Sequence, residues 1–254
     1  MAMRFLHDEA LLLEVSDLQE GDRVVSFLTR QHGRKRGAAR GARRRYSRFA
    51  GQLQPLAKVH VSWFEREDRD LVRVRGVEMV RPPHRLQADL EGILLGYYLA
   101  EHALTFAPEN EGNELLFRLL DSTLEALLAG VDRQLAARYF EQWTLRLAGV
   151  FPPPRDCPLC GADLAAGALL PSGGDALLCR GCAGGAAGIG LDAETLAFLL
   201  RVHREPLAIL AATPPSPAVL ARVEQVCGEV RRGFLQHELK SYLVMQRTLA
   251  AASR

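Results

Sequence analysis

The chain has no apolar stretch long enough to cross a bilayer. Near its middle the longest uncharged run, Gly92 to Ala100, falls far short of the roughly 20 residues a spanning helix needs. Asp8 and Glu9 interrupt the opening residues before the apolar core of a secretory signal could form, so a cytoplasmic protein without a membrane partner is expected. No nucleophile, base and oxyanion donor assemble at recognisable spacing, and the seven histidines share no triad or ligand pattern. Gly188-Ile189-Gly190-Leu191-Asp192-Ala193 fits a loose dinucleotide-binding pattern, but it follows a cysteine segment and not a buried strand. The expectation is therefore no enzyme. There is no internal repeat, and the net charge is only +2.

That small net charge hides an uneven distribution. Residues 1–80 hold sixteen Lys and Arg against eleven Asp and Glu, whereas residues 81–254 hold sixteen against nineteen. Residues 1–80 also read as short strands rich in Val, Leu and Phe: Ala10–Val15, Arg23–Thr29, a segment within Gly33–Arg40, Leu56–Phe64 and Leu71–Glu78. Turn chemistry at Glu20-Gly21-Asp22 and Glu65-Arg66-Glu67-Asp68 separates them, and five short strands suit a small barrel. Trp63 shares a face with Val59 and Val61 and reads as core; Phe64 points the other way and is a candidate stacking platform.

After Arg81-Pro82-Pro83 the spacing turns helical, through Leu90, Ile93, Leu94, Tyr97 and then Leu115 to Leu128. A further helix starts at Asp132 and runs to Leu147, where Pro152, Pro153 and Pro154 stop the pattern. Helical spacing returns at Asp192–His203 and at Ser216–Lys240, where Ser216-Pro217 supplies a cap and a proline at the first helical position. The expected organisation is residues 1–80 as one domain, 81–154 with 191–254 as a helical domain, and 155–190 as an insert.

Two features carry chemistry. Cys157-Pro158-Leu159-Cys160 and Cys179-Arg180-Gly181-Cys182 are two C-x-x-C pairs separated by 18 residues. Four thiolates in that arrangement suit one tetrahedral zinc ion with no open position, hence a structural Zn2+ site. Cys227, beside Val223, Val226 and Val230, reads as helix packing. The second feature is a run of nine cations without an acid: Arg30, Arg34, Lys35, Arg36, Arg40, Arg43, Arg44, Arg45 and Arg48. Gly33, Gly37 and Gly41 interrupt it, and Tyr46 and Phe49 are interleaved. That combination suits a mobile loop whose guanidiniums follow phosphates while rings stack on bases. Arg34, Lys35, Arg36, Arg40, Arg43, Arg44, Arg45, Tyr46 and Arg48 are the candidate nucleic-acid contacts.

The order of these pieces resembles the RecO family of bacterial recombination proteins. Glu20-Gly21-Asp22-Arg23-Val24-Val25-Ser26-Phe27-Leu28-Thr29 looks like its second strand, and Ala39-Arg40-Gly41-Ala42-Arg43-Arg44 with Ser47 its basic loop. Leu53-Gln54-Pro55-Leu56, Val77-Glu78, the four cysteines and Leu239-Lys240-Ser241 follow in the family's order. The resemblance implies an α+β multidomain chain: an N-terminal OB-fold barrel, then a helical domain carrying a four-cysteine zinc-binding insert. It implies a DNA repair and recombination mediator, nucleoid-associated, that binds single- and double-stranded DNA and anneals single strands. It further implies that RecR and the acidic C-terminal tail of single-strand-binding protein are partners in helping RecA to load. For that tail, Arg138 and Arg146 on the helix through Leu135–Leu147 are the candidate contacts, with a solvated basic face as the alternative. An OB-plus-zinc RNA-binding accessory protein fits the basic run and the cysteines equally well.

Overall fold

The structure, a computed structural model, describes residues 3–18, 21–66 and 68–252. Two of the expected turns include Glu20 and Glu67, which lie outside the described residues. The strands in chain order are β1 (Arg4–Leu18), β2 (Asp22–Thr29), β3 (Arg34–Ala39), β4 (Lys58–Glu65) and β5 (Val72–Arg81). Helices α1 (Leu90–Phe106), α2 (Glu114–Leu128) and α3 (Arg133–Leu147) follow, then β6 (Ala168–Pro171), α4 (Arg180–Ala183) and β7 (Gly188–Leu191). The chain ends in α5 (Ala193–Val202), α6 (Leu207–Ala212), α7 (Pro217–Leu235) and α8 (Lys240–Ala252). No helix among the described residues is long and apolar enough to cross a membrane.

The first five strands close on themselves in the order β1-β2-β3-β5-β4. Closure depends on β1, whose first half pairs with β4 and whose second half pairs with β2. A bulge between Leu12 and Glu14 lets it turn the corner. The seam is a short parallel pairing of β3 with β5, Gly37 to Val72 and Ala38 to Arg73. Gly37 is required there, because a Cβ would lie 2.7 Å from the Val74 side chain. Inside sit Leu12, Val25, Phe27, Val59, Val61, Trp63 and Val74. Each such buried side chain contributes roughly 1.5–3 kcal/mol. Trp63 is fully buried and meets Phe27 edge-on, as its alternation with Val59 and Val61 predicts.

The compact units divide the chain differently from the expected boundaries. The first is Met1–Leu128 with Ser241–Arg254, so α1, α2 and α8 pack with the barrel instead of joining the other helices. Ion pairs fix that packing: Lys58 reaches Glu9 and Asp121, while Arg81 reaches Asp121 and Glu125. The β2–β3 turn is also clasped by the α1–α2 connection. Arg34 N–H donates to Pro108 O and Asn110 N–H to Arg34 O, and a Cβ on Gly33 would fall 2.1 Å from Glu111 O. On α8, the Ser241 amide and hydroxyl both donate to Glu101, and Tyr242 meets Tyr98.

The second unit, Ala129–Lys240, contains α3 to α7 and the cysteine insert. Asp132, Asp192 and Ser216 cap α3, α5 and α7; the sequence predicts the cap at Ser216 and helix starts at the two aspartates. The last helix expected at Ser216–Lys240 instead breaks after Leu235, with Gln236 at φ 62. Past this left-handed cap, Glu238 lies with its carboxylate 2.7 Å from the almost fully buried Arg231 guanidinium.

Candidate nucleic-acid interface and four-cysteine centre

The structure divides the basic run. Arg34, Lys35 and Arg36 belong to β3, not to a loop. Strand alternation turns Lys35 inward, 4% exposed, with its ammonium 2.6 Å from Glu65 Oε1. Arg34 faces Glu109 at 3.7 Å, and Arg30 is held by Glu9 and Glu114. Lys35 is therefore withdrawn from the expected set of open contacts, because a sheet has two faces and the run was long enough to occupy both.

Beyond β3 the chain winds through successive tight turns rather than forming an open loop. Arg44 N–H donates to Gly41 O, Ser47 N–H to Arg44 O and Gln52 N–H to Phe49 O. Gly41, at φ 73, starts this series with its amide 2.6 Å from the Asp22 carboxylate. Arg43 N–H reaches Gly21 O, and Phe49 plugs the barrel core at 2% exposure. Phe49 is thus a core residue and not an interleaved stacking ring. Arg36, Arg40, Arg43, Arg44, Arg45 and Arg48 remain exposed, as does Tyr46, 89% exposed with Arg45 over its ring. Arg43 also makes a surface pair with Asp17 at 3.4 Å.

Arg40 leads from these turns into a groove of about 870 Å³ on the barrel surface. Phe64, Arg66, Arg69 and Arg73 line it, with Leu18, Asp22 and Ala38. Phe64 lies outward and pairs with Phe5, ring centroids 5.1 Å apart, and Phe5 is 55% exposed. Register explains the patch: Phe5 stands beside Phe64 on β4, and Arg73 on β5 stands on its other side. Sequence reasoning passed over Phe5, Arg66, Arg69 and Arg73. A signal was present in Val72-Arg73-Val74-Arg75, where buried valines alternate with exposed arginines.

The four cysteines converge as expected. The turn at the first pair is closed by Gly161 N–H to Cys157 O and Cys157 N–H to Ala162 O. In the second pair Cys179 caps α4, its sulfur accepting from Cys182 N–H. All four Sγ atoms lie within 4.8 Å of one another, and those of Cys160 and Cys179 are 3.6 Å apart. A disulfide needs ~2.05 Å. Tetrahedral sulfurs at ~2.3 Å from one zinc ion stand ~3.8 Å apart. The spacing therefore fits a shared cation and not a disulfide. The Cys179 backbone donates to Cys157 and draws its thiol down to about 6, while the sulfurs of Cys160, Cys179 and Cys157 push that of Cys182 up to about 12. Neighbouring sulfurs resist ionising together without a cation. No other group of three or more His, Cys, Asp or Glu among the described residues has metal-ligand geometry. Cys227 is buried in α7, and burial pushes its thiol up.

The two candidate partner residues fare differently. Arg138 is 4% exposed, its guanidinium 2.7 Å from both Glu141 and Glu224, so it cannot meet an incoming acidic peptide. Helical periodicity marked it as polar and hence exposed, but α7 brings Glu224 over it. Arg146 is exposed and lies over the Trp143 ring at 4.9 Å.

Comparison with known proteins adds a family. Residues 3–83 match the model for the Recombination protein O N terminal, and residues 87–243 match that for its C terminal. A protein of Anaeromyxobacter sp. strain K named DNA repair protein RecO is 36% identical over 241 residues, 94% of this chain and 93% of its own. The protein of that name from Geobacter sulfurreducens is 38% identical over 210 residues, 82% and 85% of the two chains. That from Koribacter versatilis is 30% identical over 228 residues, 90% of each. With a closed five-stranded unit, a helical region and a four-cysteine cluster in the same chain, it belongs to the Recombination protein O family.

Proposed function

We propose that the protein is a non-catalytic DNA repair and recombination mediator whose barrel, an OB-fold, binds and anneals single-stranded DNA. One observation carries this reading. Arg40 joins the exposed cations of residues 40–48 to a groove lined by Phe64, which packs against the exposed Phe5, and by three further arginines. Phosphates following Arg40, Arg43, Arg44, Arg45 and Arg48 would bring bases to Tyr46 at one end and to Phe5 and Phe64 at the other. Base–ring stacking is worth about 1–3 kcal/mol per base and tolerates any sequence, which suits a mediator. Duplex DNA would be held by the same arginines through its phosphates, without the stacking. Arg36 completes the exposed set on β3.

Zinc is the ion the four cysteines fit best, and when bound it supplies a structural crosslink. Cys157, Cys160, Cys179 and Cys182 fill all four positions, leaving none for substrate. Around them the insert buries only a few large apolar side chains, among them Leu164, Leu170 and Leu177, so the metal would carry much of its folding. The family reading also supplies RecR and the acidic tail of single-strand-binding protein as partners in the loading of RecA. Arg146 with Trp143 is the remaining candidate for that tail, offering one cation beside one apolar ring. Acting on DNA in this way implies a cytoplasmic, nucleoid-associated location.

The test compares single-stranded DNA and RNA of one sequence, followed by strand annealing with and without single-strand-binding protein. Equal or tighter RNA affinity, with no annealing of DNA, would favour an RNA-binding accessory protein instead, since a dedicated RNA reader uses the 2′-hydroxyl.

A further inference from the structure

Lys35 stands in the middle of the basic run, yet its side chain is buried while Arg36, Arg40, Arg43, Arg44, Arg45 and Arg48 are exposed. Its side chain is 4% exposed, with the ammonium 2.6 Å from Oε1 of the partly buried Glu65. Burying such a pair costs desolvation of both charges, and two apolar side chains of similar volume would stabilise a fold as well or better. Stability alone therefore does not account for it. What the pair does is fix a position. Glu65 is the last residue of β4, and its neighbours Phe64 and Arg66 both line the groove. Glu65 itself turns away from the groove into a smaller cavity of about 230 Å³, which Lys35 also lines.

We propose that the Lys35–Glu65 ion pair is a positioning element of the DNA groove: it pins the chain at Glu65 and so sets Phe64 and Arg66 on the groove wall. This rests on the reading of the groove as a DNA track. A carboxylate has directional acceptor sites that an apolar contact lacks, so the pair specifies where β4 ends to within a hydrogen-bond length. Arg66 then makes a two-point contact with Asp68 at 2.8 and 3.0 Å, which holds its guanidinium relative to the pinned strand end. Arg69 lies on the same wall. Lys35 acts through Glu65 and touches no DNA.

The charges make the test sharp, because simple electrostatics predicts opposite signs for the two residues. If Lys35 and Glu65 act only through their fields, Glu65→Gln removes a negative charge near the track and tightens DNA binding, while Lys35→Met loosens it. If they act as a pair, each variant unpins the same wall. Both should then weaken single-stranded DNA binding about tenfold and flatten the salt slope of log K by about 1.4, the share of two phosphate contacts on a single strand. The double variant should be no worse than either single one, since the coupled pair is lost once. Affinities are compared per folded molecule, with a melt of each sample, so that lost stability is not read as lost affinity. Lys35→Arg, which keeps the charge and the reach, should restore binding. Tighter or unchanged binding by Glu65→Gln overturns the proposal. An Arg66→Ala, Arg69→Ala variant separates this from failure of the groove itself. If that variant binds DNA like the unaltered protein, the track lies elsewhere; if it binds weakly while Glu65→Gln does not, only the positioning role fails.

Discussion

Replacing Arg138 by Ala should unfold the second compact unit long before it affects any partner. The guanidinium bridges Glu141 and Glu224 at 2.7 Å each, and Glu141 is 1% exposed. Removing the arginine leaves a carboxylate in a site that water scarcely reaches. Breaking a buried pair from one side costs about 3–5 kcal/mol. In a unit of this size each kcal/mol moves a thermal midpoint by roughly 4–8 °C, so the midpoint should drop by at least ~12 °C. Urea unfolding read by hydrogen exchange at the α3 and α7 amides would localise the loss to this unit. Two controls sharpen the result. Arg146→Ala gives up only a contact over Trp143, worth about 0.5–1 kcal/mol. Arg138→Met with Glu141→Leu removes both buried charges and should recover most of the stability. A single Arg138→Ala variant that melts within ~2 °C of the unaltered protein would mean that the pair is solvated and the reasoning wrong.

Metal analysis should return one zinc per chain, and a strong chelator should release it, raise hydrogen exchange across residues 155–190 and leave the barrel amides protected. Four thiols that titrate freely in the untreated protein would contradict this. His203 sets a pH dependence in the same unit. Burial, with Arg146 and Arg204 nearby, holds its imidazole down to about 4, and Gln142 Nε2 sits 2.8 Å from its Nε2. The unfolded chain takes up this proton near pH 6.5 and the folded one refuses it until about 4. The stabilisation is therefore complete above pH 6.5 and is lost as pH falls toward 4, by about 1–2 kcal/mol after allowance for partial solvent contact. His203→Gln should flatten that part of the stability curve; an unchanged curve would assign the acid sensitivity to other groups.

Much of the fold was legible because it rests on short-range signals. Alternation at Val59, Val61 and Trp63 placed the tryptophan inside, and Asp132, Asp192 and Ser216 marked helix starts that their side chains cap. The cysteine pairs were legible from spacing alone. What stayed hidden depends on partners distant in sequence. Lys35 reads as one more cation until Glu65, thirty residues away, is seen to claim it. Arg138 reads as a surface residue until Glu224 arrives on another helix. The same holds for the groove: Phe5, Phe64 and Arg73 become neighbours only through strand register. The place of α2 in the barrel's unit involves ion pairs from Lys58 and Arg81 to Asp121 and Glu125, and that of α8 involves Ser241 donating to Glu101, contacts that helical periodicity does not encode.

The central claim is that the exposed arginines of residues 40–48 and the adjoining groove track the phosphates of a single strand. Measuring DNA affinity as a function of salt tests it most directly. With about six phosphates neutralised, the slope of log K against log salt should lie near −4, each contact contributing about −0.7. Changing Arg43, Arg44 and Arg45 together to Ala should flatten it by about 2. The thermal midpoint should scarcely move, because all three side chains are exposed. A folded triple variant that keeps both its affinity and its slope would contradict the account.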